Sequence, residues 1–173
     1  MPLSVIFPVS LPGRHYRLRN FLSTWPSKQT SAFFVPSEYG IDTSTDSAAE
    51  YISFLQDKIE TVKYLQAREE KFSWFAVISG GLFDWGLNIL GFGGWNVAAR
   101  TATIFNGGNI SFEATTVCQA GRAVTLALRH PKLVQNQFIF VNSFTTTQNA
   151  VLESLERHIG APFDVIPRTV EEL

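Results

Sequence analysis

The sequence predicts an α/β fold built on a parallel sheet with helices. Apolar runs at residues 32–35, 74–79 and 137–141 have the length and composition of buried strands. Amphipathic segments of helical length lie between and after these runs, and parallel strands need crossover connections of this kind. A small carboxyl-terminal subdomain is also expected, because segments 100–105 and 109–114 flank an Asn-Gly-Gly turn and predict a β-hairpin.

The first predicted helix covers residues 46–69, with Asp46 or Thr45 as candidate N-cap. Apolar side chains recur in it at spacings of three, four and seven residues, which places them on one face. This inner face comprises Tyr51, Phe54, Leu55, Ile59, Val62 and Leu65.

Two further helices and a last strand complete the predicted order. Residues 116–129 have an apolar inner side and form the second helix. Thr146 or Thr147 caps the third helix, and Gly160 ends it. A short strand is expected at 163–166.

Lys58 lies inside the apolar face of the first predicted helix, four residues after Phe54 and four before Val62. An ammonium that is removed from water must find a partner or lose its proton. Two interpretations stay open. Either the side chain extends past its neighbours to solvent, or Lys58 belongs to a functional site.

The turn Pro36-Ser37-Glu38-Tyr39-Gly40 follows the first predicted strand and carries a hydroxyl and a carboxylate. In α/β sheets, sites form at the carboxyl ends of strands, so this turn and Lys58 are candidates for one site. Ser37 and Glu38 also have a simpler interpretation, as residues that hydrogen-bond the backbone of the turn.

Several spaced segments occur in an order that is typical of one family. These segments are Phe33–Gly40, Phe54–Lys58, Ile78–Gly86, Arg100–Gly108, Gly121–Val124 and Ser143–Asn149. Together they resemble the NmrA-like and isoflavone-reductase-like branch of the atypical short-chain dehydrogenases. The resemblance covers residues 32–168 and implies a partial Rossmann-like, NAD(P)-binding parallel sheet with its small carboxyl-terminal subdomain on the substrate side.

The same resemblance divides the chain into two parts. Residues 1–31 form an irregular arm that does not match the family, and residues 32–173 are the carboxyl-terminal part of an NmrA-like domain. The family's opening strand, glycine-rich loop and helix are not found in the sequence, so a truncated form is expected. Loss of the neighbouring strands is expected to expose the sheet edge at 32–35 for self-association. Phe54 stands where typical short-chain dehydrogenases have a tyrosine, in agreement with the isoflavone-reductase-like branch.

The function implied by the resemblance is an NAD(P)H-dependent oxidoreductase acting on a small, aromatic or conjugated organic substrate. Lys58 would be the catalytic residue, as a proton relay or as a stabiliser of developing negative charge. Trp85 would face the substrate. NADP is the expected cofactor, with NAD as the alternative. Binding of the cofactor is expected to be weak without the family's amino-terminal strand, glycine-rich loop and helix. The cofactor would contact Ser37, Tyr39, Gly80, Gly81 and Phe83.

Two other kinds of protein stay open. One is a non-catalytic NmrA-like regulator that senses a dinucleotide or binds a protein, and the other is a truncated product without activity of its own. Retention of Lys58 favours an enzyme ancestry, but it leaves open whether this chain turns over a substrate.

Composition argues against several further classes. The net charge of −1 gives no electrostatic reason to expect nucleic acid as a partner. Cys118 is the single cysteine, which excludes an internal disulfide and fits a reducing, cytoplasmic location. With three dispersed histidines it lacks the spacing of metal ligands, so no metal is expected. The apolar segment 74–95 is rich in glycine and predicts a strand and a tight loop rather than a membrane span.

Overall fold

The computed structural model describes residues 4–6, 32–45, 47, 50, 52–53, 55–89 and 91–172. Several predictions lie outside the described residues. They concern the candidate cap Asp46, the core residues Tyr51 and Phe54, and the arm apart from residues 4–6. The chain divides into two compact units, Met1–Ser79 with Ala120–Val141 and Gly80–Gln119 with Asn142–Leu173.

In the described part of the chain, strands and helices are interspersed along the sequence. The strands are β1 (Ser4–Ile6), β2 (Ala32–Phe34), β3 (Ser73–Ile78), β4 (Gly81–Leu82), β5 (Trp95–Asn96), β6 (Thr101–Phe105), β7 (Phe112–Thr115), β8 (Gln137–Phe140), β9 (Phe144–Thr146) and β10 (Asp164–Arg168). The α-helices are α1 (Leu55–Gln66), α2 (Phe83–Gly86), α3 (Val117–Arg129), α4 (Pro131–Val134) and α5 (Gln148–Ile159).

The first unit contains a four-stranded sheet in the order β1-β2-β3-β8. Every neighbouring pair in it is parallel. Strands β2, β3 and β8 correspond to the three apolar runs of the sequence, and β10 corresponds to the expected last strand. The predicted α/β class with a parallel sheet is therefore confirmed.

Strand β1 corrects the expectation about the sheet edge. Ser4, Val5 and Ile6 pair in parallel register with Ala32, Phe33 and Phe34. The main chain of β2 is therefore bonded on both sides, by β1 and by β3, and the expected exposure of the edge at 32–35 is wrong. Self-association through this edge loses its physical basis. A three-residue strand is too short for sequence periodicity to reveal it.

The two faces of the sheet are covered by different helices. One face contributes to a core cluster of Phe34, Val62, Leu65, Phe72, Trp74 and Ala76. The other contributes to a cluster of Phe33, Val35, Phe75, Val77 and Ala127. Because α1 supplies residues of the first cluster and α3 supplies Ala127 to the second, each face packs against a helix, as a parallel sheet requires.

The predicted helix over 46–69 ends early, at Gln66, and is interrupted. Ser47 and Glu50 are helical, whereas Ile52 and Ser53 are not. The carbonyl groups of Ile52 and Ser53 accept hydrogen bonds from the amides of Leu55 and Gln56, which closes a tight turn at the start of α1. The predicted inner face is correct within α1, where the buried residues are Leu55, Ile59, Val62 and Leu65.

The other two predicted helices are confirmed as α3 and α5. Side-chain caps explain where they begin. The hydroxyl of Thr116 accepts a hydrogen bond from the amide of Gln119 at 3.2 Å, and that of Thr147 accepts one from the amide of Ala150 at 3.1 Å. Helix α5 ends at Gly160, whose φ of 74° suits a residue without a side chain.

The second unit contains two three-stranded sheets, in the orders β10-β6-β5 and β4-β7-β9. In each sheet the central strand is parallel to one neighbour and antiparallel to the other. The buried core of this unit consists of Trp95, Ala102, Ile104, Val151, Leu152 and Phe163. The apolar segment 74–95 is divided among β3, β4, α2 and later turns. Among the described residues, no helix is long and apolar enough to cross a membrane.

The predicted β-hairpin between 100–105 and 109–114 is wrong. Strands β6 and β7 exist at these positions, but they belong to different sheets. Both edges of β6 are already paired, one with β10 and the other with β5, so β7 has no edge of β6 to bond. The direct antiparallel connection in this region instead joins β5 to β6 through residues 97–100.

We expect Gly94→Ala to destabilise the protein far more than Gly107→Ala. Both glycines have positive φ, 91° and 77°, so both substitutions carry a backbone cost of about 1–2 kcal/mol. A Cβ at Gly94 would also lie 2.2 Å from the main-chain oxygen of Thr103, whereas a Cβ at Gly107 would meet nothing within 4 Å. Overpacking should add about 1–3 kcal/mol at Gly94 alone. Urea unfolding measures both variants, and equal losses would contradict this account.

Candidate functional site

The turn after β2 lies at the carboxyl end of the parallel sheet in the first unit. The amide of Tyr39 donates to the carbonyl of Val77 in β3 at 2.8 Å, and the amide of Ser79 donates to the carbonyl of Gly40 at 3.3 Å. The turn therefore runs beside the end of β3. This is the edge of a parallel sheet at which α/β proteins place their sites.

Glu38 lies in this turn with only 1% of its surface exposed. The hydroxyl of Thr43, which is also buried, donates to the Glu38 carboxylate. A carboxylate that is removed from water needs a donor of this kind, because burial without a partner is costly. The simple interpretation of Glu38 as a residue that bonds the turn backbone is therefore incomplete.

Lys58 reaches the same turn from α1. Its amine donates to the main-chain oxygen of Glu38, a residue 20 positions away in the sequence. The side chain is half-buried. The interpretation in which the amine only extends past its neighbours to solvent is therefore wrong. An ammonium has three N–H donors, so the bond to Glu38 leaves donors that a bound molecule could use.

Burial acts against the charge of both groups. Removal from water raises the pKa of the Glu38 carboxyl, and the Thr43 hydrogen bond and the Lys58 charge reduce that shift. Burial lowers the pKa of the Lys58 amine, and the charge of Glu38 partly offsets the effect. The amine therefore releases its proton more readily than an exposed lysine does, which suits a residue that relays protons.

Ser37 and Tyr39 flank Glu38 in the turn. Tyr39 is half-buried against the cluster that contains Val77, and burial raises the pKa of its phenol. Its φ of 30° is uncommon for a residue with a side chain, and such backbone is kept only where its surroundings fix it. The first unit thus brings Ser37, Tyr39 and Lys58 together around Glu38. Their contact with a cofactor stays a prediction.

The other predicted site residues, Gly80, Gly81, Phe83 and Trp85, belong to the second unit. Gly81 starts β4, and Phe83 and Trp85 lie in α2. Trp85 is 56% exposed. Asp84 lies in the first turn of α2, and its carboxylate accepts from the amides of Trp85 and of Val117 in α3, at 3.1 and 2.9 Å.

Packing within the protein accounts for glycine at positions 80 and 81. A Cβ at Gly80 would lie 2.3 Å from the main-chain oxygen of Glu113, and one at Gly81 would lie 3.3 Å from the ring of Phe92. The space that a side chain would need at these points is occupied by protein atoms. The absence of side chains therefore needs no ligand to explain it, and the predicted cofactor contacts at both glycines remain untested.

An apolar cleft of about 370 Å³ lies within the second unit. Phe83 forms part of its wall and meets Phe144 edge to face, with ring centroids 5.1 Å apart. The remaining lining comes from Leu87, Thr146, Ala150, Val151, Ser154, Leu155 and His158. A cleft of this size and polarity suits a flat apolar molecule.

Two hydrogen bonds of the first-unit site were not predicted. The carbonyl and the carboxylate of Glu38 each hold one partner, and Thr43 supplies the second of these contacts. The available signal was a carboxylate in a turn directly after a buried strand, followed by a lysine on an apolar helix face. The pairing itself joins positions too far apart for any local pattern to show.

Comparisons with known proteins show that this chain is similar to oxidoreductases. No protein-family model matches the sequence. Oxidoreductase aprR of Aspergillus flavus is 34% identical over 134 residues, which are 76% of this chain and 44% of that protein. Oxidoreductase poxI of Penicillium oxalicum is 31% identical over 106 residues, 61% of this chain and 34% of that protein. The chain thus spans less than half the length of these relatives.

Solved structures show the same architecture. Isoflavone reductase superposes with a TM-score of 0.73 at 15% identity, covering 98% of this chain and 55% of that one. AtPrR2 with NADP+ and (+)pinoresinol gives 0.70 at 17% identity, covering 97% and 56%. The leucoanthocyanidin reductase–NADPH complex from Vitis vinifera gives 0.71 at 12% identity, covering 98% and 57%.

These comparisons confirm the resemblance that the sequence motifs predicted. The superpositions cover nearly the whole chain with TM-scores of at least 0.70. At sequence identities this low, they establish the fold alone. The relatives in sequence carry the name oxidoreductase. This chain therefore has the Rossmann-like α/β fold of the isoflavone-reductase-like proteins, and its relatives in sequence are oxidoreductases.

Proposed function

We propose that this chain serves the NAD(P)H-dependent reduction of a small aromatic or conjugated organic compound, with Lys58 as the catalytic residue. The observation that carries the proposal is the Lys58 amine, bound to the Glu38 carbonyl at the carboxyl end of a parallel sheet. The names of the relatives and neighbours support it, since they include oxidoreductases and reductases in complex with NADPH or NADP+.

Lys58 has the chemistry that such a reduction needs from the protein. Addition of hydride to a conjugated acceptor leaves negative charge on the substrate, and a nearby ammonium stabilises that charge or donates the proton that neutralises it. A bound nicotinamide would supply the hydride. The Glu38 carbonyl orients the amine, and the half-buried position of Lys58 strengthens its electrostatic effect.

The residues of the turn fit the nicotinamide end of such a cofactor. The Lys58 ammonium has more N–H donors than the Glu38 carbonyl takes up, Ser37 carries a hydroxyl, and Tyr39 carries an aromatic ring. We propose NADP as the cofactor, with further contacts from Gly80, Gly81 and Phe83, because the family resemblance assigns them that role.

The substrate class rests on two observations. AtPrR2, a structural neighbour, holds (+)pinoresinol together with NADP+. The second unit has an apolar cleft walled by Phe83 and Phe144, where a flat ring would be removed from water. Trp85, exposed on α2, is the proposed substrate contact.

This chain by itself is expected to bind NADPH with a Kd above about 10 μM, which corresponds to a binding free energy weaker than roughly −7 kcal/mol. A dinucleotide is held largely by its pyrophosphate at a helix N-terminus after a glycine-rich loop, and the sequence has no Gly-x-Gly-x-x-Gly. Titration calorimetry with NADPH measures the constant directly. A tighter complex would show that other residues hold the pyrophosphate.

Turnover tests the proposed function itself. We expect oxidation of NADPH, followed by its absorbance, when a conjugated aromatic compound such as (+)pinoresinol is added. If the chain alone is inactive, the assay is repeated after the amino-terminal segment of a relative is joined ahead of residue 32. Binding of NADPH without hydride transfer across a panel of conjugated aromatics would refute the reductase and favour the dinucleotide-sensing regulator.

A further inference from the structure

Glu38 connects three separate parts of the first unit. Its carboxylate accepts the hydroxyl of Thr43, and its main-chain oxygen accepts the amine of Lys58. The turn after β2, the loop that follows it and helix α1 therefore meet at one residue. Glu38 and Thr43 are both buried, at 1% and 3% exposure, so the arrangement is enclosed by protein rather than formed at a mobile surface.

We propose that Glu38 is the positioning residue of Lys58: its carbonyl fixes the amine at the end of the sheet, and its carboxylate, held by Thr43, gives the site its negative charge. The inference deepens the proposed function, on which it rests, by assigning a second residue to the same site. Glu38 acts through Lys58 and is not placed against the substrate.

The hydrogen bonds alone do not require a charged residue at this position. A glutamine would present an oxygen of the same shape to Thr43, and any residue supplies the main-chain oxygen that Lys58 uses. A carboxylate instead adds the cost of a buried charge. What only the carboxylate provides is negative charge beside Lys58, and that charge keeps the half-buried amine protonated more than burial alone would.

The groups that act on Lys58 are few in the described part of the unit. Glu38 is the ionisable group whose charge changes the proton affinity of the amine. Tyr39 is the other titratable side chain of the turn, and burial raises the pKa of its phenol, so it stays neutral over a wider range. Asp57, Glu60 and Lys63 lie on the same helix as Lys58.

The test is the pH dependence of Lys58 acetylation by acetic anhydride in the full chain, read by mass spectrometry. Only the unprotonated amine reacts, so the midpoint of the labelling curve reports its pKa, and exposed Lys63 is an internal control in every sample. Glu38→Gln is expected to move the Lys58 midpoint to lower pH by about one pH unit, with Lys63 unchanged. The matched control, exposed Glu70→Gln, should leave the Lys58 midpoint where it is.

A second pair of variants keeps the proposal testable if Glu38→Gln fails to fold. Thr43→Val keeps the shape of Thr43 but removes the hydroxyl that holds the carboxylate, so the Lys58 midpoint should fall in the same direction by a smaller amount. Thr43→Ser restores the hydroxyl and should restore the midpoint. A purely structural role for Glu38 predicts no such rescue. Lys58 midpoints that do not move in Glu38→Gln, or in Thr43→Val if the first variant is unfolded, would overturn the proposal.

Labelling does not depend on turnover, so the two proposals fail separately. If Lys58→Met retained full kcat, the reductase assignment of Lys58 would be refuted while the labelling result stood. If Lys58 proved catalytic, Glu38→Gln should also move the pH profile of kcat/KM in the same direction as the labelling midpoint. If Glu38→Gln changed neither the Lys58 labelling curve nor the pH profile of an active enzyme, Lys58 would remain the catalytic residue and Glu38 would have no positioning role.

Discussion

Replacement of Lys58 by methionine should lower kcat for NADPH-dependent reduction by at least about 100-fold, the size typical of lost proton transfer or charge stabilisation. Methionine has a similar length and suits the half-buried position on α1, so the melting temperature should stay nearly unchanged. The substitution removes the amine that binds the Glu38 carbonyl, together with its positive charge. Steady-state kinetics and a thermal melt on the same preparation measure both effects.

Lys63→Met is the matched control, because Lys63 is an exposed lysine in the last turn of the same helix. Its removal should leave kcat and KM unchanged. If Lys58 only packs against its neighbours, Lys58→Met should behave like Lys63→Met in the assay and should be neutral or slightly stabilising. That result would refute the catalytic assignment, while a fall in melting temperature parallel to the fall in kcat would point to loss of folding instead.

Trp74→Ala should cost about 3–5 kcal/mol of unfolding free energy, the usual range for a large aromatic side chain removed from a core. Trp74 is 1% exposed and packs in the cluster that α1 covers. Its ring meets Phe138 edge to face at 5.4 Å, and its indole N–H donates to Glu69 at 2.9 Å. A loss of this size is a large fraction of the stability of an ordinary domain.

Trp85→Ala removes the same side chain from a surface position and serves as the control. Trp85 is 56% exposed, so its loss should change the unfolding free energy by no more than about 0.5 kcal/mol. If Trp85 contacts the substrate as proposed, the variant should raise KM without a loss of stability. Urea unfolding of both variants provides the comparison, and similar losses for the two tryptophans would contradict the burial of Trp74 and the exposure of Trp85.

Local features that depend on periodicity could be predicted from the sequence. Strand β3 is a run of apolar residues, and its burial on both faces follows from that composition. Helices α3 and α5 have an apolar side at helical spacing, and Thr147 and Gly160 mark the ends of α5 by their own chemistry. The position of Lys58 on the inner side of α1 is equally local, since it depends only on 3.6 residues per turn.

Pairing between distant segments could not be predicted in the same way. The segments that became β6 and β7 have the composition of a hairpin around Asn-Gly-Gly, yet β6 bonds β10, more than fifty positions later in the chain. Strand β1 was missed because three residues show no period. In both cases the choice of partner depends on which main-chain edges remain unpaired after the rest of the sheet has formed.

The candidate site shows the same division. By itself the sequence determined the α/β class, the likeness to the isoflavone-reductase-like proteins, and a lysine that must either be bound or lose its proton. Only the tertiary structure decided that Lys58 binds the carbonyl of Glu38 and that Thr43 holds the Glu38 carboxylate. It also decided that Glu38 is buried and Lys58 half-buried. The physical reason is that periodicity specifies which side of an element is buried, whereas the partner found there is set by contacts between residues far apart in the chain.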